Sequence, residues 1–146
     1  MSVKEVLGYF ILKALVGDVT VLNIIDDYFN LGMSPSEIAR AYGISKYTVR
    51  GFIERVLVKG RYRYRSIEEA VRAYLPVVLG SVKPVIKFEG GLARCAICGK
   101  RLDSVAAANS HIVRAHGDLL NKLIKEVMAR AGRKARERGV QEAPAT

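Results

Sequence analysis

A chain of 146 residues has room for one ordinary domain or two small ones, and 50% hydrophobic against 26% charged residues is a globular balance that excludes a disordered chain. Its 24 lysines and arginines against 14 aspartates and glutamates give a formal net charge of +10, which favours a polyanionic partner, because each phosphate neutralised by Lys or Arg releases a condensed counterion. No apolar run is long enough to cross a bilayer, and Lys13 and Asp18 interrupt the run around Phe10 without a cleavage pattern after it, so a soluble, intracellular chain with no membrane partner is expected.

Residues 3–15 carry Val3, Val6, Leu7, Phe10, Ile11, Ala14 and Leu15 at helical spacing. One face of this first helix is therefore apolar, either packing on its own domain or pairing two copies. Gly17 and Asp18 close it. A second helix is expected from about residue 20 to residue 31, with Val21, Ile24, Ile25, Tyr28 and Phe29 inward and Gly32 at its end. Asp26 and Asp27 point about 100° apart on such a helix, which makes them a solvated face rather than an acid/base pair.

Residues 32–56, GMSPSEIARAYGISKYTVRGFIERV, read as two helices around a tight corner. Ser34, Pro35 and Glu37 supply a cap hydroxyl, a proline at the first helical position and a carboxylate that reaches back to the cap. Gly43 ends the first of the two helices, because glycine takes the left-handed conformation without steric cost, and Ser45 caps the next. Ile38, Tyr42, Ile44, Val49 and Phe52 are the positions the corner buries, with small Ala39 where the helices approach. The pattern resembles the helix-turn-helix of DNA-binding proteins, of the resolvase and repressor kind, across the whole motif. The resemblance implies that the second helix enters a major groove with Ser45, Lys46, Tyr47, Arg50, Gly51 and Glu54 outward. Lys46 and Arg50 would donate to guanine edges or phosphates, and Tyr47 would lie against a sugar or a thymine methyl. Double-stranded DNA is the implied partner, and a homodimer stays open because such proteins pair to read two half-sites. Gly51 stands out, since a glycine inside a helix costs about 1 kcal/mol relative to alanine.

Lys59 and Gly60 read as a turn, after which Arg61, Tyr62, Arg63, Tyr64 and Arg65 alternate strictly. Extended, this segment places Arg61, Arg63 and Arg65 on one face for phosphate contacts, as the wing of a winged helix-turn-helix does; a solvated basic stretch is the alternative. Ser66 with Glu69 reads as another capping box opening a helix toward Leu75. Pro76, Gly80 and Pro84 break that pattern, and residues 78–88 read as a linker followed by a short strand.

Beyond the linker the sequence CAICGKRLDSVAAANSHIVRAH has the spacing C-x2-C-x12-H-x4-H, with Cys95, Cys98, His111 and His116. Every Cys and every His of the chain lies in it. The spacing resembles the C2H2 zinc finger over roughly residues 88–116, which implies one zinc ion closed by two thiolates and two imidazoles, a structural rather than a catalytic site. The finger's apolar core positions, Leu102 and Ala108, are smaller than usual, so a neighbouring element is expected to cover it. Asp103 reads as the cap of its helix. The three base-reading positions fall on Ser104, Ala107 and Ser110, too short for base readout, which favours a structural or protein-docking finger with Lys100, Arg101 and Arg114 available to phosphates. Leu119, Leu120, Leu123, Ile124, Val127, Met128 and Ala131 then form the apolar stripe of a basic helix, which covers the finger, pairs with another subunit or lies along DNA.

The expected architecture is mainly α: an N-terminal helix-turn-helix domain over residues 1–80, winged if residues 61–65 pair, then a linker and small ββα zinc finger over 81–117. A basic amphipathic helix over 118–140 and a disordered tail over 141–146 complete it. The separate apolar stripes predict that metal removal unfolds the C-terminal part alone. The implied function is a sequence-specific DNA-binding protein, a transcriptional regulator of the cytoplasm and nucleoid with one structural Zn2+ and no enzymatic activity, since no serine or carboxylate cluster is recognisable as catalytic. A DNA-binding accessory or fragment of a recombinase or transposase is one alternative. A zinc-containing interaction adaptor, docking a protein through the finger or the last helix, is the other.

Overall fold

The computed structural model describes residues 3–60 and 64–142. Among the described residues the chain is mainly helical, with seven helices and one small sheet of three antiparallel strands. Helix α1 (Val3–Val16) lies at the centre and packs on α2 (Val19–Phe29), α4 (Lys46–Gly60), α5 (Tyr64–Ser81), α6 (Val105–Ala115) and α7 (Gly117–Glu142). Its apolar stripe accordingly becomes core: Val6, Leu7, Phe10, Ile11, Ala14, Leu15 and Val16 are all buried. Gly8 faces α7, and a Cβ built there would sit at ordinary contact distance, 3.5 Å, from Ile124 Cδ1.

Helix α2 buries Val21, Leu22, Ile24, Ile25 and Phe29. Asp26 and Asp27 are not simply solvated, because each is half-buried and holds a partner. The Asn30 amide donates to Asp26 Oδ1 at 2.6 Å, and the Tyr42 hydroxyl donates to Asp27 Oδ2 at 2.6 Å. The second contact pins the end of α3 (Pro35–Tyr42) to α2. Burial, the hydrogen bond to Asp27 and the charges of Asp27 and Asp26 push the Tyr42 phenol up to about 12.

Helix α3 starts on the expected reciprocal cap. Glu37 N–H donates to Ser34 Oγ at 3.2 Å while Ser34 N–H donates to Glu37 Oε1 at 3.2 Å. The Ser34 N–H first, and the Ser34 hydroxyl beside it, hold the Glu37 carboxyl below its ordinary value. Gly43, at φ 67, ends the helix in the left-handed region, and Ile44 N–H donates to Ala39 O at 3.0 Å across the corner. Ser45 then receives Tyr47 N–H on its hydroxyl at 3.0 Å and opens α4. Ile38, Val49, Ile53 and Val56 are buried under the corner, with Tyr42, Ile44 and Phe52 packed at its margin.

Downstream the structure departs from the sequence expectations. Lys59 and Gly60 belong to α4 instead of forming a turn, and Tyr64 and Arg65 open α5, so the second half of the Arg/Tyr alternation is helical and not a strand. Arg61 and Arg63 lie outside the described residues. Ser66 falls inside α5 and therefore does not cap it. Pro76 also lies within this helix, which continues to Ser81. The proline and Arg72, whose carbonyl loses its helical donor, are both exposed, while Val71, Leu75 and Val78 of the same helix are buried. Only residues 82–85 separate α5 from the sheet.

Strands β1 (Ile86–Glu89), β2 (Leu92–Cys95) and β3 (Arg101–Leu102) pair in the order β1-β2-β3. Gly90 at φ 56 and Gly91 at φ 81 make the β1–β2 turn. One sheet face buries Ile86, Ala93, Cys95 and Leu102. Helix α7 buries Ile124, Val127 and Ala131 and packs on α1 and α5 as well as on α6. Buried residues from Val6 to Ala131 form one core, so the expected 1–80, 81–117 and 118–140 segments join in packing. Among the described residues no helix is long and apolar enough to cross a membrane.

Candidate metal centre and an exposed helix face

Cys95 ends β2 and Cys98 follows on a tight knuckle closed by Gly99, at φ 79, whose N–H donates to Cys95 O at 2.8 Å. The Cys95 N–H donates to Lys100 O at 2.9 Å, which folds the knuckle back onto the start of β3. His111 projects from α6. His116 lies five residues on, and five residues of an unbroken helix turn the side chain about 140° away. The chain meets this by leaving the helix at His116, with φ −125 and ψ 30, between α6 and α7. The bend brings the two rings to 4.9 Å between centroids.

The four ligand atoms lie within 4.8 Å of one another, with Cys98 Sγ 3.2 Å from His111 Nε2 and Cys95 Sγ 3.4 Å from His116 Nε2. Sulfur and nitrogen on one edge of a tetrahedron around an ion with ~2.3 Å and ~2.0 Å bonds stand roughly 3.5 Å apart, so the donor set fits a metal ion. Cys95 is buried and His111 is 8% exposed, whereas Cys98 is open to solvent. Burial, then the charges of His116 and Lys100, lower the His111 pKa, which favours the neutral imidazole a metal needs.

The centre is bolted to α1 through the backbone. Ala96 N–H, inside the knuckle, donates to Val85 O at 2.8 Å, and Val85 N–H donates to Leu15 O at 2.8 Å. Ala108 and Ile112 of α6 are fully buried, and α1 packs on α6. The thin core around Leu102 and Ala108 is thus covered mainly by the N-terminal helix, with α7 contributing. Ser104, not Asp103, caps α6, its Oγ accepting from Ala107 N–H at 3.0 Å. Asp103 stands one residue too early for its carboxylate to serve in that position.

A second assembly of expected site residues lies on α4. Ser45, Lys46, Tyr47, Arg50 and Glu54 are all exposed, Tyr47 at 73%, and Gly51 is half-exposed among them. Neither α1 nor α7 covers this surface. Lys46 Nζ sits 5.9 Å from the Tyr47 ring centroid, and no side chain lies within 4 Å of a Cβ built on Gly51. Arg65 is in the first turn of α5, so Arg61, Arg63 and Arg65 do not share an extended ribbon. Two cations that the sequence did not single out, Lys87 and Arg94, stand side by side on the sheet. Recognising the Gly90–Gly91 hairpin turn would have set that register. No protein-family model, curated protein or solved structure matches the chain.

Proposed function

We propose that the chain is a sequence-specific DNA-binding protein, a transcriptional regulator, in which α3 and α4 form a helix-turn-helix and α4 reads the major groove. The observation that carries this is the bare row Ser45, Lys46, Tyr47 and Arg50 on the first turns of a helix set by a tight capped corner. Those are the positions from which a recognition helix reaches base edges. The formal charge of +10 supports a polyanionic partner. Cys95, Cys98, His111 and His116 would hold one Zn2+ in a ββα finger, since paired thiolates and imidazoles suit zinc. The ion would supply a cross-link and no open coordination position, and both cysteines and both histidines are then committed, so the reading includes no enzymatic activity.

Enrichment of bound duplexes from a random pool tests the reading. One recurrent sequence is expected, and its two-fold symmetry would report a homodimer. A pool that enriches nothing would overturn the regulator reading and leave an interaction adaptor. Arg50→Ala is expected to weaken the selected site by about 10-fold or more while changing nonspecific affinity less, as loss of a base contact does. Equal loss on both duplexes would make Arg50 a phosphate contact only. Metal-dependent cutting of DNA in the presence of magnesium would overturn the non-enzyme reading.

A further inference from the structure

Three cations stand abreast on the outer face of the small sheet. The register sets Lys87 opposite Arg94 and Arg94 opposite Arg101. Neighbouring strands lie ~4.8 Å apart, so the row is about 10 Å long. Ile86, Ala93, Cys95 and Leu102 hold the other face in the core, and strand alternation therefore turns all three cations outward, where they are exposed. They border a shallow hollow of ≈ 260 Å³ together with Glu89 and Leu92, the next register pair.

Glu89 is the single carboxylate bordering this hollow, and among the described residues no ion pair joins any carboxylate to the three cations. Like charges directly opposite one another destabilise a sheet. Here they are lined up on strands of only four, four and two residues. Arg101 also borders a neighbouring hollow with Lys100 and Arg114, where three cations face the single carboxylate of Asp103 and the balance past β3 toward α6 stays positive.

We propose that this row is a sequence-independent binding strip for the sugar–phosphate backbone of nucleic acid, separate from the α4 face. It rests on the reading of the chain as a nucleic-acid binder but not on α4 reading bases. Each strand of a duplex presents one phosphate per ~3.4 Å of axis, so a row of about 10 Å has two or three within reach. An anionic lipid surface is the poorer match, because Leu92 is the one exposed apolar side chain bordering the hollow, Ala93 being buried, and interfacial binding needs buried apolar area.

The test is the affinity of the 146-residue chain for a fixed duplex over a fourfold range of salt, read by fluorescence anisotropy. Each phosphate contact contributes about 0.9 to the slope of log K against log salt. Replacing all three cations, Lys87→Gln, Arg94→Gln and Arg101→Gln, is expected to lower that slope by about 1.8–2.7, so that the variant loses roughly 10- to 40-fold less affinity across the range. Its preferred sequence should stay the same, and its helical signal and metal content should match the parent chain. Glu89→Gln removes negative charge from the same face and is expected to act oppositely, tightening binding at low salt.

An unchanged slope in the triple variant, while Arg50→Ala still weakens binding, overturns the strip and leaves the α4 reading standing. A lowered slope in a chain without sequence preference supports the strip and sinks the α4 reading. Absence of duplex binding in the parent chain sinks both. If the triple variant does not fold, failure of Glu89→Gln to tighten binding overturns the strip. Phosphatidylserine vesicles held by the parent chain and lost by the triple variant, with its duplex slope intact, would overturn it in favour of a membrane contact.

Discussion

The Tyr42 hydroxyl and the Asp27 carboxylate, 2.6 Å apart, fix how the α3–α4 corner sits on α2. Periodicity in the sequence marks Asp27 as a solvated position, because a helical window shows which face a residue is on but not which distant side chain arrives there. Tyr42→Phe keeps the ring and removes the donor, and is expected to cost about 1 kcal/mol in chemical denaturation. The same contact has a pH signature. The folded-state phenol is raised to about 12 from its ordinary 10.0, so its neutral form is favoured by folding. Its contribution is present in full below the unfolded value and is lost as pH rises through the folded one, which makes stability fall between about pH 10 and 12. Tyr42→Phe should flatten that fall relative to the parent chain, and a fall of equal depth in both would show that other groups cause it.

At the scale of elements, two glycines eight residues apart, Gly43 and Gly51, invite the same substitution with opposite results. Gly43 ends α3 at φ 67 with open space around it, so Gly43→Ala adds no clash and costs only the left-handed backbone, about 1–2 kcal/mol. Gly51 is inside α4 with nothing near its missing Cβ, so Gly51→Ala should stabilise the helix by about 0.5–1 kcal/mol. If the proposed recognition face lies close against DNA at Gly51, the added methyl also lowers affinity in the binding assay, whereas unchanged affinity would make the glycine a tolerated defect. These two elements were legible because caps and left-handed turns are local chemistry: Ser34, Glu37, Gly43 and Ser45 act within a few residues. The metal centre was legible for a related reason, since four ligands at a fixed spacing need no knowledge of the rest of the chain. Helix α5 was not. Pro76 and the Arg/Tyr alternation argue locally against a helix, and what offsets them is the burial of Val71, Leu75 and Val78 against helices far away in sequence. The sheet face was missed because Lys87, Arg94 and Arg101 become neighbours only through strand register.

For the molecule as a whole, the decisive fact is that α1 packs both on the N-terminal helices and on α6 and α7. Read along the sequence, the apolar stripes before and after residue 80 look like two cores, and metal loss should melt only the second. In the folded chain they share one core, and two backbone hydrogen bonds run from the cysteine knuckle through Val85 to Leu15. Removing the metal should therefore destabilise everything at once. Metal at about 1,000 times its dissociation constant contributes about 4 kcal/mol, which for a chain of this size is roughly 10–15 °C in Tm. The amino-acid distribution provides the means of checking this. There is no tryptophan, and all seven tyrosines, from Tyr9 to Tyr74, precede the sheet in sequence, so tyrosine fluorescence reports on the part of the chain before it. Chelation is expected to lower the tyrosine-detected transition together with the far-ultraviolet helical signal, as one cooperative step. A tyrosine transition that stays in place while part of the helical signal melts early would mean that α1 joins the two regions geometrically without coupling their stability.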